Sequence, residues 1–145
     1  MGKTFTLIEA QTLLPVLEAL LLRAQRAALR GAELELAMEE LSRRIFLSGG
    51  MSVDIVSAAR RRAERDRAVQ EASTTVAEIE EIGAKVHDLQ AGLLDIPCQV
   101  EDGIVMLCWQ PGEAAIEHWH EESEEPGPRR RLDWRFGRGE RERLN

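Results

Sequence analysis

The stretch Leu13–Ile45, LLPVLEALLLRAQRAALRGAELELAMEELSRRI, decides the fold. Leu13, Leu17, Leu20, Ala24, Ala27, Gly31, Leu34, Met38, Leu41 and Ile45 recur in alternating steps of four and three. That spacing keeps one stripe of a long helix against a neighbour. Upstream, Thr6 and Glu9 form a capping box, in which the hydroxyl accepts from the Glu9 amide and the carboxylate reaches back to the Thr6 amide. Pro15 removes a backbone donor and predicts a kink, or a short first helix and a restart. Downstream, Ser48-Gly49-Gly50 ends the helix near Leu47 and reverses the chain. A second helix is expected from an N-cap at Ser52 to Ile82, with Gly83 as its stop.

Folding this hairpin about residues 49 and 50 sets Ala24, Ala27 and Gly31 against Thr75, Ala72 and Ala68. Small side chains then face small ones. Leu14, Leu21 and Ala28 form a second stripe that a lone hairpin cannot cover. The C-terminal sheet, a second copy or a partner must bury it, and a homodimer through Leu14 and Leu21 is the expected solution.

From Ala84 the period changes. Lys85–Leu89, Leu93–Val100, Ile104–Trp109 and Ile116–His120 read as strands, with Asp102-Gly103 as a two-residue hairpin turn. That turn pairs positions summing to 205 and places Cys98 and Cys108 on opposite faces. Pro97 belongs at an edge or a bulge. The expected fold is thus α+β: a long, antiparallel, coiled-coil-like two-helix hairpin, kinked near Pro15, with a small antiparallel β-sheet at its base. The domain spans residues 5–121, as a helical hairpin over 6–83 and a β-region over 84–121. Residues 122–145 read as a charged, flexible tail.

Charge narrows the partners. The chain carries −7 overall. Residues 84–125 hold one basic and ten acidic groups, whereas residues 43–67 hold seven basic and three acidic. Binding of the body to a phosphate backbone is disfavoured, so nucleic acid is an improbable partner. The arginines Arg60, Arg61, Arg62, Arg65 and Arg67 could dock an unknown protein partner; the plainer reading is a solvated helix face. No apolar run approaches the roughly 20 residues that span a bilayer, so no membrane partner is expected. Two cysteines ten residues apart make no disulfide framework and suit a reducing, cytoplasmic setting.

Several of these pieces together resemble a known family. Phe5-Thr6-Leu7 with Leu13-Leu14-Pro15, Gly83, Asp88, Gly92-Leu93-Leu94-Asp95, Pro97, Leu107-Cys108-Trp109, Gly112-Glu113 and Trp119-His120 are similar to the bacterial domain of unknown function 2203 family. Ile96 replaces an aromatic usual before the proline, and a Glu-rich stretch with Arg129–Arg131 replaces a glycine-rich ending. The resemblance implies a small cytosolic bacterial protein and transfers no catalytic role.

The leading functional expectation is therefore a dimeric interaction or scaffolding module, with enzyme activity left open and the balance leaning against it. Its rival is a metal-binding protein or a small metalloenzyme. On a strand, His118 and His120 point to one face, and with His87 or Glu121 they could hold zinc or iron. No other cofactor is expected. The plain reading is that acidic neighbours merely raise the basicity of these histidines and that Trp119 anchors the strand in the core. Cys98 and Cys108 read as small packing residues. The acids Asp88, Asp95, Glu101, Asp102, Glu113, Glu117 and Glu121 read as solvated surface. A weaker third reading is an RNA- or ribosome-associated factor using the arginines.

Overall fold

The computed structural model describes residues 3–49, 54–123 and 129–136. Helix α1 (Leu7–Leu47) and helix α2 (Ile55–Ile82) precede strands β1 (Lys85–Asp88), β2 (Leu93–Val100), β3 (Gly103–Trp109), β4 (His118–Glu121) and β5 (Arg130–Arg131). The strands form one antiparallel sheet in sequential order. The α+β class is as the sequence implies. The chain divides into two compact units, Met1–Leu22 with Val76–Asn145, and Arg23–Thr75.

In the unit Arg23–Thr75 the two helices pack through small residues. Ala24, Ala27, Ala68, Ala72 and Thr75 are buried. A Cβ added at Gly31 would lie 3.2 Å from Val69 Cγ2 and 3.7 Å from Ala68 Cβ, so the backbones approach as closely as the sequence pairing requires. Arg23–Glu71 (3.1 Å), Arg30–Glu64 (2.9 Å) and Arg65–Glu35 tie the helices along their exposed flanks.

The capping box forms: Thr6 N donates to Glu9 Oε1 at 2.9 Å and Glu9 N to Thr6 Oγ1 at 3.2 Å. Helix α1 then runs continuously through Pro15, so the expected restart is absent. Pro15 is exposed, and the carbonyl it leaves without a helical donor can be hydrated. Ser52 lies outside the described residues. Asp54 caps α2 instead, accepting from the Val56 and Ser57 amides and the Ser57 hydroxyl. At the other end, Gly83 adopts φ 123° and the Ala84 amide donates to the Ile79 carbonyl, closing α2 with a glycine that a side chain would strain.

In the other unit, one face of the sheet meets the helices. Leu94, Ile96, Cys98 and Val100 of β2, Val105, Leu107 and Trp109 of β3 and Trp119 of β4 join Ala10, Leu14, Leu17, Leu21 and Ile79 in one core. Here the structure corrects the sequence reading. Leu14 and Leu21 are buried inside the chain, so the sheet supplies the cover for which a second copy was expected. The packing argument for a dimer interface at these two leucines therefore falls away. Over residues 129–136 the tail reading is corrected too; residues 124–128 and 137–145 lie outside the described residues. Arg130–Arg131 extend the sheet, and Phe136 enters the core, 6.0 Å from Trp119 ring to ring.

The hairpin turn is Glu101-Asp102, not Asp102-Gly103. Val100 pairs with Gly103, and partners sum to 203. Gly103 is used at φ 134° as the first residue of β3 rather than inside the turn. A shift of two preserves face parity, so Cys98 still faces the core and Cys108 the opposite side. Pro97 directs its carbonyl toward Phe5 N (2.9 Å), and its missing N–H lies on that same side, beyond the residues β1 pairs.

Candidate functional site

The second face of the sheet holds the chemistry. Asp95 of β2 pairs across strands with Cys108 of β3, and Cys108 with His118 of β4. His120, two residues on, shares that face. Asp95, Cys108 and His120 are only 1%, 5% and 3% exposed. One nitrogen, one sulfur and one oxygen from these three side chains all lie within 4.8 Å of one another.

The hydrogen bonds set the histidine's state. His120 Nδ1 lies 2.8 Å from the Glu121 carbonyl oxygen. A carbonyl only accepts, so Nδ1 carries hydrogen. His120 Nε2 lies 3.0 Å from Asp95 Oδ1. In the neutral ring this is a lone pair facing a carboxylate oxygen, and something positive must sit between them: a proton or a metal ion. A ring nitrogen tied to a backbone carbonyl, with the other aimed into a cluster of donors, is how proteins orient metal-binding histidines. Asp95 Oδ2 is buried without a hydrogen-bond partner among the described residues. Its neighbour is His87 Nδ1 at 3.5 Å. The pairing of β1 with β2 shifts register between Val86 and Asp88, and such bulges re-aim a side chain.

A second set of contacts surrounds the sulfur. Arg129 donates from Nε to Cys108 Sγ (3.2 Å) and from Nη2 to the Cys108 carbonyl (3.3 Å) and Glu113 Oε1 (2.7 Å). Glu113 Oε2 lies 3.3 Å from His118 Nδ1. The turn after β3 places this carboxylate, which also accepts from the Gln110 amide, while the Glu113 carbonyl accepts from Trp109 Nε1. Gln11 of α1 clamps the approach to β4, exchanging two hydrogen bonds with the Ile116 backbone. Burial pushes the Glu113 carboxyl up, but Arg129, the Gln110 amide and His118 bring it below its ordinary value. Burial likewise raises the Cys108 thiol, against the pull of Arg129. Cys98, on the other face, is pushed up to about 11 by burial and by Glu9.

Of the four metal candidates from the sequence, His120 joins the cluster and His87 flanks it. His118 shares the face but turns its Nδ1 to Glu113. Glu121 does not belong: it pairs with Val105 on the core-facing side of the ladder, and its side chain is exposed. Asp95 is buried and Glu113 partly buried rather than solvated, and the Cys108 sulfur accepts from Arg129. Arg129 lies in a stretch whose sequence reads as tail, and no local pattern links it to a cysteine 21 residues earlier.

The docking arginines divide. Arg60, Arg61, Arg62 and Arg67 are exposed and have no ion-pair partner among the described residues. Arg65 is engaged with Asp66 and Glu35, which raise its basicity further.

A family model described as an uncharacterized conserved protein (DUF2203) matches residues 3–132. The chain belongs to that family. No curated protein and no solved structure matches the chain. Asp95, Cys108, Glu113 and His120, which carried the resemblance to DUF2203 in the sequence, are four of the residues that meet on this face. Residues 129–132, set aside as outside the resemblance, fall within the match.

Proposed function

We propose that this DUF2203 protein binds a divalent transition metal, zinc by the chemistry of its donors, through Asp95, Cys108 and His120. The observation that supports this reading most is the Asp95–His120 contact. An imidazole nitrogen and a carboxylate oxygen face each other at 3.0 Å in a buried site beside a thiol, a pair that needs a shared proton or a metal ion, and the second carboxylate oxygen has no hydrogen bond among the described residues. A mixed set of one sulfur, one imidazole nitrogen and one carboxylate oxygen suits zinc better than magnesium or calcium. Zinc ligands at about 2.0–2.3 Å leave donor atoms roughly 3.3–3.7 Å apart, so Asp95 and His120, 3.0 Å apart, need only open slightly by small side-chain rotations to admit the ion beside the sulfur. Arg129 supports the thiolate form by donating to sulfur, and the Glu121 carbonyl fixes the imidazole tautomer. Three protein ligands leave a fourth position for water, the pattern of a reactive rather than a closed structural zinc site.

The test is zinc binding by equilibrium dialysis of tag-free protein, with metal content read by elemental analysis. Wild type should bind one equivalent. Asp95→Asn, Cys108→Ser and His120→Asn should each weaken binding by at least about a hundredfold, and Arg129→Ala by about tenfold. Less than about 0.1 equivalent at saturation, or affinities untouched in the three ligand variants, would return the cluster to a buried, proton-sharing pair.

A second reading, the dimeric interaction module, draws on a different surface from the one first expected. Leu29 and Leu36 are exposed one heptad apart on α1. Light scattering of wild type against Leu29→Ser with Leu36→Ser decides it: a dimer mass lost in the variant supports pairing there, and a monomer in both sinks it.

A further inference from the structure

The end of the hairpin where α1 gives way to α2 exposes more apolar side chain than a solvated tip requires. Phe46, Leu47, Ile55 and Val56 are 83%, 75%, 79% and 65% exposed. Isolated exposed leucines need no explanation, but two large apolar residues at the end of α1 and two at the start of α2, at the same end of the hairpin, make a patch. Behind them stand exposed arginines. Arg43 and Arg44, which share Glu40 in exposed ion pairs (3.5 and 3.6 Å), precede Phe46 by three and two residues, and Arg60, Arg61 and Arg62, unpaired among the described residues, follow Ile55 by five to seven. At 1.5 Å per residue these guanidinium-bearing positions lie roughly 3–10 Å behind the apolar ones along the helix axes.

We propose that this end of the hairpin docks on an anionic phospholipid surface, with Phe46, Leu47, Ile55 and Val56 at the acyl boundary and the arginines on lipid phosphates. The dimensions fit, because interfacial segments bury apolar side chains about 5–10 Å into the headgroup layer. That depth brings a guanidinium behind them level with the phosphates, which it grips in bidentate fashion. Charge favours the same occupant. Residues 43–67 hold seven basic and three acidic groups in a chain that is otherwise strongly acidic, so an anionic surface attracts this end selectively. The acid at the end itself, Asp54, is turned to the first amides of α2, where the helix dipole offsets its charge. A second copy presenting the same end would bring like charges together. A nucleic acid would engage the arginines but leave four apolar side chains in water. Docking of this kind requires no spanning helix, and no described helix is long and apolar enough to cross a membrane.

The experiment is co-sedimentation of the full chain with phosphatidylcholine vesicles, alone or with about one-third phosphatidylglycerol, at low and physiological salt. Two variants accompany it: Phe46→Ser, Leu47→Ser, Ile55→Ser and Val56→Ser combined, and Arg60→Ser, Arg61→Ser and Arg62→Ser combined. All seven positions are exposed, so both variants should melt with wild type, which circular dichroism checks. Wild type should partition about tenfold or more in favour of the anionic vesicles, and each variant should lose about tenfold of that partition. Three results would overturn the proposal. The first is equal partition on both vesicle types. The second is full binding by the apolar variant. The third is vesicle-free protein that forms a dimer, or retains an RNA oligonucleotide, through the same residues.

Discussion

Truncating Leu21 to alanine tests the arrangement that carries the site. Leu21 is 0% exposed and belongs to the core shared by α1, α2 and the sheet. The substitution removes three carbon atoms, worth about 2.4 kcal/mol at about 0.8 kcal/mol per buried methylene. The cavity left behind adds to this, and Leu→Ala changes in well-packed cores cost about 3–5 kcal/mol. We expect about 3 kcal/mol here, a fall in Tm of roughly 6–12 °C for a domain of this size. Because the cover comes from the same chain, the loss should be constant over a roughly hundredfold range of protein concentration in urea titrations. A loss below about 1 kcal/mol would refute the packing. So would a wild-type midpoint that climbs with concentration while the variant's does not, because that is the behaviour of a leucine buried between subunits.

Other outcomes follow from single contacts. At Gly83, φ is 123° and an added Cβ would sit 2.8 Å from Phe5 Cε2, so Gly83→Ala should cost about 2 kcal/mol or more by thermal melting; an unchanged Tm would contradict that backbone. The folded-state value of Glu113 is depressed, so its contact with Arg129 stabilises fully above the ordinary value of 4.5 and fades as pH falls through the lower folded value. Glu113→Gln should therefore lose about 1–2 kcal/mol at neutral pH and converge with wild type in acid, and a gap that widens in acid would reverse the argument. Both thiols are raised and buried, so thiol-reactive dye should label the native protein slowly at neutral pH and both cysteines rapidly in denaturant. Fast native labelling would show an open sulfur.

Much of the scaffold was legible because its signals are local. The four–three stripe, the Thr6–Glu9 box, the Gly83 stop and the bounds of β2 rest on residues within one or two turns of each other. The observed register of the Glu101-Asp102 hairpin differs from the expected one by two because an Asp-Gly pair signals the turn itself, whereas Gly103 here serves just after it. The cover of Leu14 and Leu21 is not legible because sheet-on-helix packing joins segments about 70–105 residues apart, and periodicity is silent at that range.

The candidate site divides in the same way. His118 and His120 were visible from their alternation on a strand. Asp95 was not, because nothing near it in sequence marks one acid among ten as the one placed opposite Cys108 and beside a histidine 25 residues away. Arg129 was hidden for a further reason. Three arginines after Pro-Gly-Pro look like tail, and only the short β5 pairing with β4 brings the first of them onto the sulfur.

The central claim concerns which atoms meet at the metal, and cobalt substitution reads that directly. Cobalt(II) added to the metal-free protein should give a thiolate-to-cobalt charge-transfer absorption in the near ultraviolet, together with the visible bands of a four-coordinate ion. The charge-transfer band should vanish in Cys108→Ser and persist in Cys98→Ala, because only Cys108 shares a face with Asp95 and His120. A wild-type spectrum without that band, or a band that survives the loss of Cys108, would contradict the site proposed on this sheet.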